Sequence, residues 1–291
     1  MLELYQFELS HYSEKVRFIL DYKGLPYRKI EVTPGLGQID LFRLSGQRQV
    51  PLLKDGHEIM ADSTAIALYL DEKYPEKPLI PTEPFARAQT LILEEWADMS
   101  LGLKGRTAMI GAFNQDPEFR KAFLPTQTPS QLQSLVDGLP DNVRSVGNLM
   151  ASSVPNLLKN VVGAVPGDLL SMGGAVAGFG PEAVKLANQD LARGLEALSL
   201  MLADKPFLVT NQPTLADFAV AALTMYIKFP ASPTLNLPLS LKGKGVPGLA
   251  DNPLYETFFK WRDDLYLNYR KIDETTPPPP SDGSPQKISI D

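Results

Sequence analysis

The sequence predicts an α/β domain with the element order βαβαββα, followed by an all-α domain. Over residues 1–76 the apolar pattern switches repeatedly between the period of a strand and that of a helix. Prolines at positions 75, 78, 81 and 84 then interrupt regular structure, and beyond them the helical period dominates. With 291 residues, the chain is long enough for two domains that each bury a core.

The first domain is predicted over residues 1–76, with a linker at 77–84. A Lys23-Gly24 pair is typical of a helix end, and Asp55-Gly56 favours a tight hairpin turn between two short strands. Strands are expected at 2–7, 27–32, 50–53 and 58–61, and helices at 13–22, 39–44 and 63–74. This order opens with a βαβ unit and closes with a hairpin and a helix.

The second domain is predicted over residues 85–273. Helical spacing is clearest at 87–99, 182–202 and 215–227. Residues 124–181 are rich in Gly, Pro, Ser and Asn, which predicts a long excursion between helices. The tail, 274–291, contains four consecutive prolines and few apolar residues, and we expect it to be disordered.

Composition excludes several classes of function. A formal charge of -6 gives no electrostatic reason to bind nucleic acid. The absence of cysteine excludes disulfides, a thiolate nucleophile and cysteine-ligated zinc, and two histidines far apart in sequence predict no metal site. The N-terminus lacks the pattern of a signal peptide and no apolar run spans a bilayer, so a cytoplasmic location is expected.

The segment with the most chemical interest is LSHYSEKVR at residues 9–17, where the first strand leads into the first helix. A helix N-terminus stabilises an anion and lowers the pKa of a thiol placed beside it. A hydroxyl at Ser10 is therefore suited to holding a thiolate that comes from a small molecule. The alternative is that Ser10 or Ser13 only caps the helix.

Three segments in order resemble the N-terminal domain of the cytosolic glutathione transferases. They are residues 9–17, the QVPLL run at 49–53 and the DSTAI run at 62–66. The PTLADFA run at 213–219 resembles the capping box in the core helix of that family's second domain, where Thr214 caps and Asp217 returns a hydrogen bond. The resemblance implies a thioredoxin-like first domain, glutathione as co-substrate and a homodimer.

The resemblance also implies roles for individual residues. Ser10 matches the catalytic position and would bind the glutathione sulfur, with His11, Tyr12 and Ser13 as alternatives. Glutathione would supply the nucleophile for a hydrophobic electrophile, as in detoxification. The family often has proline at position 11, and the closest likeness is to serine-type and atypical bacterial, particularly cyanobacterial, members.

The remaining glutathione contacts follow from the two other segments. Val50 would offer its backbone to the cysteinyl part of glutathione, beside a cis-Pro51, and the Gln49 side chain would reach the tripeptide. Asp62 and Ser63 would hold the γ-glutamyl end at a helix N-terminus. Each segment also has a plainer interpretation, as a strand entry or a helix cap.

The electrophile is expected between the two domains. The lining residues predicted from the sequence are Tyr12, Trp96, Met99, Leu103, Arg106 and Phe113, any of which could instead be ordinary core. Two other functions stay open: a binding or assembly protein with this fold but no turnover, and a glutathione-dependent peroxidase or isomerase. Residues 145–181, which carry little charge, raise the further alternative of contact with a membrane surface.

Overall fold

A computed structural model describes residues 1–32, 37–116, 119 and 180–272. The tail at 274–291, for which disorder is predicted, lies outside these residues. The excursion at 124–181 and the segment at 145–181 predicted to contact a membrane surface also lie outside them, apart from positions 180 and 181. Within the described residues, no helix is both long and apolar enough to span a membrane. The N-terminal elements are β1 (Leu2–Gln6), α1 (His11–Lys23), β2 (Tyr27–Glu31), α2 (Gly37–Ser45), β3 (Leu52–Asp55), β4 (Glu58–Ala61) and α3 (Ser63–Lys73).

The first domain has the predicted thioredoxin-like arrangement. Its four strands form one sheet in the order β2-β1-β3-β4, in which β1 and β2 are parallel and the other pairs are antiparallel. Gly56 has a φ of 63° in the turn between β3 and β4, a conformation that glycine adopts without a steric penalty. Helix α2 begins at Gly37 and ends at Ser45, so it is longer than the helix predicted at 39–44.

The second domain is helical, as predicted. After α4 (Pro84–Trp96), a π-helical turn at Ala97–Gly102 leads directly into α5 (Leu103–Gln115). The remaining α-helices among the described residues are α6 (Pro181–Met201), α7 (Leu215–Leu223) and α8 (Glu256–Tyr269). The predicted linker ends at Pro84, but in the structure Pro84 is the first residue of α4. Proline is favoured at the first position of a helix.

Two features of this domain differ from the prediction. Helix α7 ends at Leu223, four residues before the predicted end, and its C-cap is Thr224, whose hydroxyl donates to the Val220 carbonyl (2.8 Å). Beyond this helix end, the Tyr226 hydroxyl donates to the Leu9 carbonyl (2.8 Å), which ties this segment to the start of α1. Helix α8 was not predicted from the sequence.

Helix α7 forms the centre of the second domain, and every one of its residues is buried. The capping box predicted at its start is confirmed. The amide and the hydroxyl of Thr214 both donate to Asp217 Oδ2 (2.7 and 2.8 Å), while the Leu208 amide donates to Asp217 Oδ1 (2.8 Å). A buried carboxylate with both oxygens satisfied therefore fixes the entry of this helix.

The two domains are joined by buried ion pairs on α1. Arg270, just after α8, donates to Glu14 (2.8 Å) and to Asp21, and all three side chains are buried. The end of the second domain is thus held against the first helix of the first domain.

Candidate active site

One row of residues across the sheet brings the three predicted glutathione-binding segments together. Tyr5 in β1 pairs with Leu52 in β3, which pairs with Ala61 in β4. From this edge, β1 runs out towards Ser10, β3 is entered from residues 49–51, and β4 runs out to residues 62–63. Segments that are between 12 positions (Val50 to Asp62) and 52 positions (Ser10 to Asp62) apart in sequence therefore lie at one edge of the sheet.

Ser10 is the N-cap of α1 and is half-buried. Its Oγ accepts the Ser13 amide (3.2 Å), so the cap predicted as the plainer interpretation is present. The Ser10 hydroxyl donates to none of the described residues. Its proton is therefore available to an external acceptor, beside the positive end of the helix.

The three alternatives to Ser10 are arranged differently. Ser13 is fully buried. Tyr12 already donates its hydroxyl proton to the Asp98 carbonyl (3.1 Å), and burial together with the Asp98 charge raises the pKa of that hydroxyl well above its ordinary value. The His11 ring is buried against the second domain. Of the four residues, Ser10 alone is partly exposed to solvent and has a hydroxyl that donates to no other residue in the part of the chain that the structure describes.

Asp62 and Ser63 form the start of α3. Asp62 Oδ1 accepts the amides of Thr64 (3.0 Å) and Ala65 (2.9 Å) as the helix cap. Its backbone has a φ of 76°, which is uncommon for a residue other than glycine and is found more often at functional sites. Ser63 is buried at the first helical position, where an amide has no acceptor within its own helix. An external carboxylate would complete this helix end.

Between these two helix starts lies the loop that enters β3. The Val50–Pro51 peptide bond is cis, as the resemblance implied. Val50 is half-buried and lies two positions before Leu52, the first paired residue of β3, and Gln49 is exposed. The backbone of Val50 thus lies at the end of a strand ladder, where an extended ligand can continue the pairing.

A buried ionic network holds the start of α3 in place. Lys15 Nζ donates to both carboxylate oxygens of Asp98 (2.9 and 3.0 Å), to Thr64 Oγ1 (3.0 Å) and to Glu94. Lys15 and Glu94 are buried. The network joins α1, α3 and α4 with the π-helical turn, so it fixes the site against the second domain. Sequence reasoning missed it, because a lone lysine in an amphipathic helix is ordinarily predicted to face solvent.

The residues predicted to line the electrophile pocket are not all together. Tyr12 lies against the π-helical turn, and Arg106 is close enough to act electrostatically on His11 and Tyr12. Met99 and Leu103 are exposed on the turn and at the start of α5.

Trp96 and Phe113 have other neighbours. The Trp96 ring is so close to Gly194 of α6 that a Cβ there would be 3.1 Å from it. Phe113 is buried, with its ring centroid 5.0 Å from that of Phe119. The structure therefore brings Tyr12 and Arg106 together and places these two side chains elsewhere.

Comparison with known proteins identifies the family. Residues 4–78 match the family described as "Glutathione S-transferase, N-terminal domain", and residues 181–251 match "Glutathione S-transferase, C-terminal domain". Together the two matches cover half of the chain. This protein belongs to the glutathione transferase family. Glutathione S-transferase Z1 of Arabidopsis thaliana is 41% identical over 90 residues, which are 30% of this chain and 41% of that protein.

Solved structures agree on the fold of this member of the family. A beta-etherase from Sphingobium sp. strain SYK-6 aligns over 89% of this chain and 99% of its own, with a TM-score of 0.57 and 22% identity. A glutathione S-transferase from Methylobacterium radiotolerans, solved with glutathione sulfonate, aligns over 99% of both chains with a TM-score of 0.54 and 15% identity. At these identities the likeness shows the fold alone. The match to the Arabidopsis relative spans about two fifths of that protein's length.

Proposed function

We propose that this protein is a glutathione transferase that holds glutathione at the edge of the sheet and conjugates its thiolate to hydrophobic electrophiles. The observation that carries the proposal is the shared row Tyr5–Leu52–Ala61, from which the Ser10, Val50 and Asp62 segments extend together. Glutathione is a short, extended and anionic peptide. A strand end flanked by two helix N-termini matches its backbone and its charge.

The proposed mechanism assigns one task to each part of the site. The start of α3 at Ser63 receives the γ-glutamyl carboxylate, and the Val50 backbone pairs with the cysteinyl residue. The Ser10 hydroxyl donates a hydrogen bond to the glutathione sulfur, which lies as a thiolate at the start of α1. The thiolate attacks an electrophilic carbon, a C–S bond forms, and the leaving group departs with its electron pair. The thiol proton has already gone to solvent.

Ser10 and the N-terminus of α1 can supply the stabilisation of the thiolate that this mechanism requires. A free thiol with a pKa of about 8.5 is only a few per cent ionised at neutral pH. Lowering that pKa by about two units requires about 2.7 kcal/mol of preferential stabilisation of the thiolate. A hydrogen bond to a charged acceptor contributes about 1.5–3 kcal/mol. Ser10 and the N-terminus of α1 together are sufficient.

A substitution series tests the assignment. Ser10→Ala should lower kcat/KM for conjugation at least tenfold, because it removes the donor to sulfur. Tyr12→Phe and Ser13→Ala are the matched hydroxyl deletions and should retain most activity. Full activity in Ser10→Ala with loss in Tyr12→Phe would move the catalytic role to Tyr12.

A panel of aryl halides, isothiocyanates and hydroperoxides separates the alternative functions. Saturable glutathione binding without turnover of any of them would favour the non-catalytic alternative. Turnover of hydroperoxides alone would favour a peroxidase.

We also propose that the protein forms a homodimer through α4. Phe85, Ile92 and Met99 recur every seven residues along α4 and the π-helical turn, and they are 69%, 68% and 60% exposed. Such a stripe lies on one face of a helix and is costly to leave in water. Ile92→Glu should convert a dimer into a monomer in light scattering, while a protein that is monomeric without the substitution would contradict the proposal.

A further inference from the structure

An open groove runs along one face of α8. One wall is a row of α8 side chains that recur at helical spacing from Thr257 to Tyr269, and the other is formed by Pro206 and Phe207, in the loop after α6. Trp261 joins the two walls, because its indole N–H donates to the Pro206 carbonyl (2.9 Å). The groove has a volume of about 400 Å³, and the rings of Phe207, Trp261 and Tyr269 each show part of their surface to solvent.

Three polar side chains of the groove have hydrogen-bond donors that the described residues do not use. The hydroxyls of Thr257 and Tyr269 and the side-chain amide of Asn268 donate to no other residue in the described part of the chain. The Lys260 ammonium group at the rim is exposed and is paired with Asp264 (2.8 Å). The groove therefore presents aromatic rings together with donors, so it is suited to a ligand that supplies apolar surface and acceptors.

A run of prolines has this chemistry. Proline has no backbone N–H, so such a run presents apolar rings and carbonyl acceptors only. It adopts the polyproline II conformation, in which the carbonyls have no internal partner, and segments of this kind bind to grooves lined by aromatic residues. The tail of this chain contains four consecutive prolines at 277–280.

The proline run is within reach of the groove. The described chain ends at residue 272, three positions after Tyr269, which itself lines the groove. Pro277 follows five positions later, and five extended residues span at most about 18 Å. Eight positions of helix separate Tyr269 from Trp261, a distance of about 12 Å. Four prolines in the polyproline II conformation, at about 3.1 Å per residue, have the same length.

We infer that the proline run at 277–280 docks in the groove along α8, in the polyproline II conformation and antiparallel to the helix. The proline rings pack against the rings of Tyr269, Phe207 and Trp261, and their carbonyls accept from Asn268 and from the groove hydroxyls. The short connection keeps the run near the groove at an effective concentration on the order of millimolar, so a weak contact is sufficient.

The groove is separate from the proposed glutathione site. Tyr269 packs against Tyr22 near the end of α1, with ring centroids 5.6 Å apart, whereas Ser10 lies at the start of that helix. Twelve positions of helix separate Tyr22 from Ser10, a distance of about 18 Å. Docking of the tail therefore leaves conjugation unaffected, and the inference holds or fails independently of the proposed transferase function.

Tryptophan fluorescence tests the docking, because Trp261 is one of only two tryptophans in the chain. In a Trp96→Phe background, replacing all four prolines at 277–280 by alanine should raise the Stern–Volmer constant for acrylamide quenching by about twofold or more, since the indole loses the proline rings that cover it. Pro285→Ala, in the same tail, is the matched control and should leave the constant unchanged. A synthetic peptide of residues 275–283 should restore the shielding saturably, and its four-alanine counterpart should not.

Cysteine pairs give a second measurement that needs no tryptophan substitution, since the chain has no cysteine of its own. Docking places Ser281 near Thr257, at the far end of the groove, and away from Leu267, which is exposed on another face of α8. On oxidation, Thr257→Cys with Ser281→Cys should form a disulfide about tenfold faster than Leu267→Cys with Ser281→Cys, because docking raises the effective concentration of the first pair. Alanine at 277–280 should abolish this difference.

Three results would overturn the inference. The first is equal quenching of Trp261 with the natural and the alanine-substituted tail, and the second is an equal rate of disulfide formation in the two cysteine pairs. The third is shielding of Trp261 that is lost on dilution, which would assign the occupant of the groove to a second copy of the chain. None of these results would bear on whether the protein conjugates glutathione.

Discussion

Replacing Lys15 with methionine tests the buried network that supports the start of α3. The substitution removes the ammonium group and keeps a flexible apolar side chain. Glu94 and Asp98 then lose their shared cation. Thr64 Oγ1 is 2.6 Å from Glu94 Oε1 and 3.1 Å from Asp98 Oδ2, and its single hydroxyl proton can satisfy only one of the two carboxylates. At least one carboxylate, either the buried Glu94 or the half-buried Asp98, is left without a donor from the network.

Removing one partner of a buried ion pair costs about 3–5 kcal/mol. We therefore expect Lys15→Met to lower the free energy of unfolding by about 3–5 kcal/mol at pH 7, measured by urea denaturation. Lys260→Met is the matched control, since the Lys260–Asp264 pair (2.8 Å) is exposed, and it should cause no measurable change. A triple variant that also carries Glu94→Gln and Asp98→Asn should recover part of the loss.

The loss of unfolding free energy caused by Lys15→Met should decrease as the pH is lowered. Burial raises the pKa of Asp98 even with Lys15 present, and removal of the ammonium group raises it further. A carboxyl group whose pKa is higher in the folded than in the unfolded state destabilises the fold when ionised. The loss caused by Lys15→Met should therefore be complete at pH 7 and shrink as the pH falls towards about 4. A loss below about 1 kcal/mol at pH 7, or one that grows on acidification, would refute the reasoning.

Two further predictions concern stability. Asp217→Asn leaves one acceptor oxygen where Thr214 and Leu208 supply donors to two. The free energy of unfolding in urea should therefore fall by about 2–3 kcal/mol. A change within about 0.5 kcal/mol, the usual spread for surface substitutions, would contradict this capping role. Arg270→Met removes the buried cation that Asp21 shares with Glu14, while Glu14 keeps its buried ion pair with Arg17, and the substitution should lower stability by about 3 kcal/mol. Separate unfolding transitions for the two domains should then appear in calorimetry, and an unchanged single transition would contradict the account.

Much of the first domain could be predicted from local signals. The strand and helix periods are distinct, Gly24 and Asp55-Gly56 mark an end and a turn, and Asp62 is a recognisable helix cap. The site segments could be located because each has a local signature. That they share one edge of the sheet follows from the register of β1, β3 and β4, which the sequence does not display.

Features that depend on tertiary partners could not be predicted. Helix α8 has apolar and charged residues around its circumference, and Arg262, which is fully buried, breaks the amphipathic pattern. Lys15 and Arg270 are buried because acidic residues distant in sequence face them. The π-helical turn at Ala97–Gly102 has no local signature, yet it places Gly102 against His11 and Tyr12.

The central claim is that this cysteine-free protein binds glutathione and keeps its sulfur ionised at Ser10. The most direct measurement is the thiolate absorbance near 240 nm of glutathione bound to the protein, followed as the pH is changed. We predict a bound thiol with a pKa about two units below the free value of about 8.5, and a pKa that moves back towards the free value in Ser10→Ala. A bound thiol that titrates like free glutathione, or no saturable binding at all, would contradict the claim.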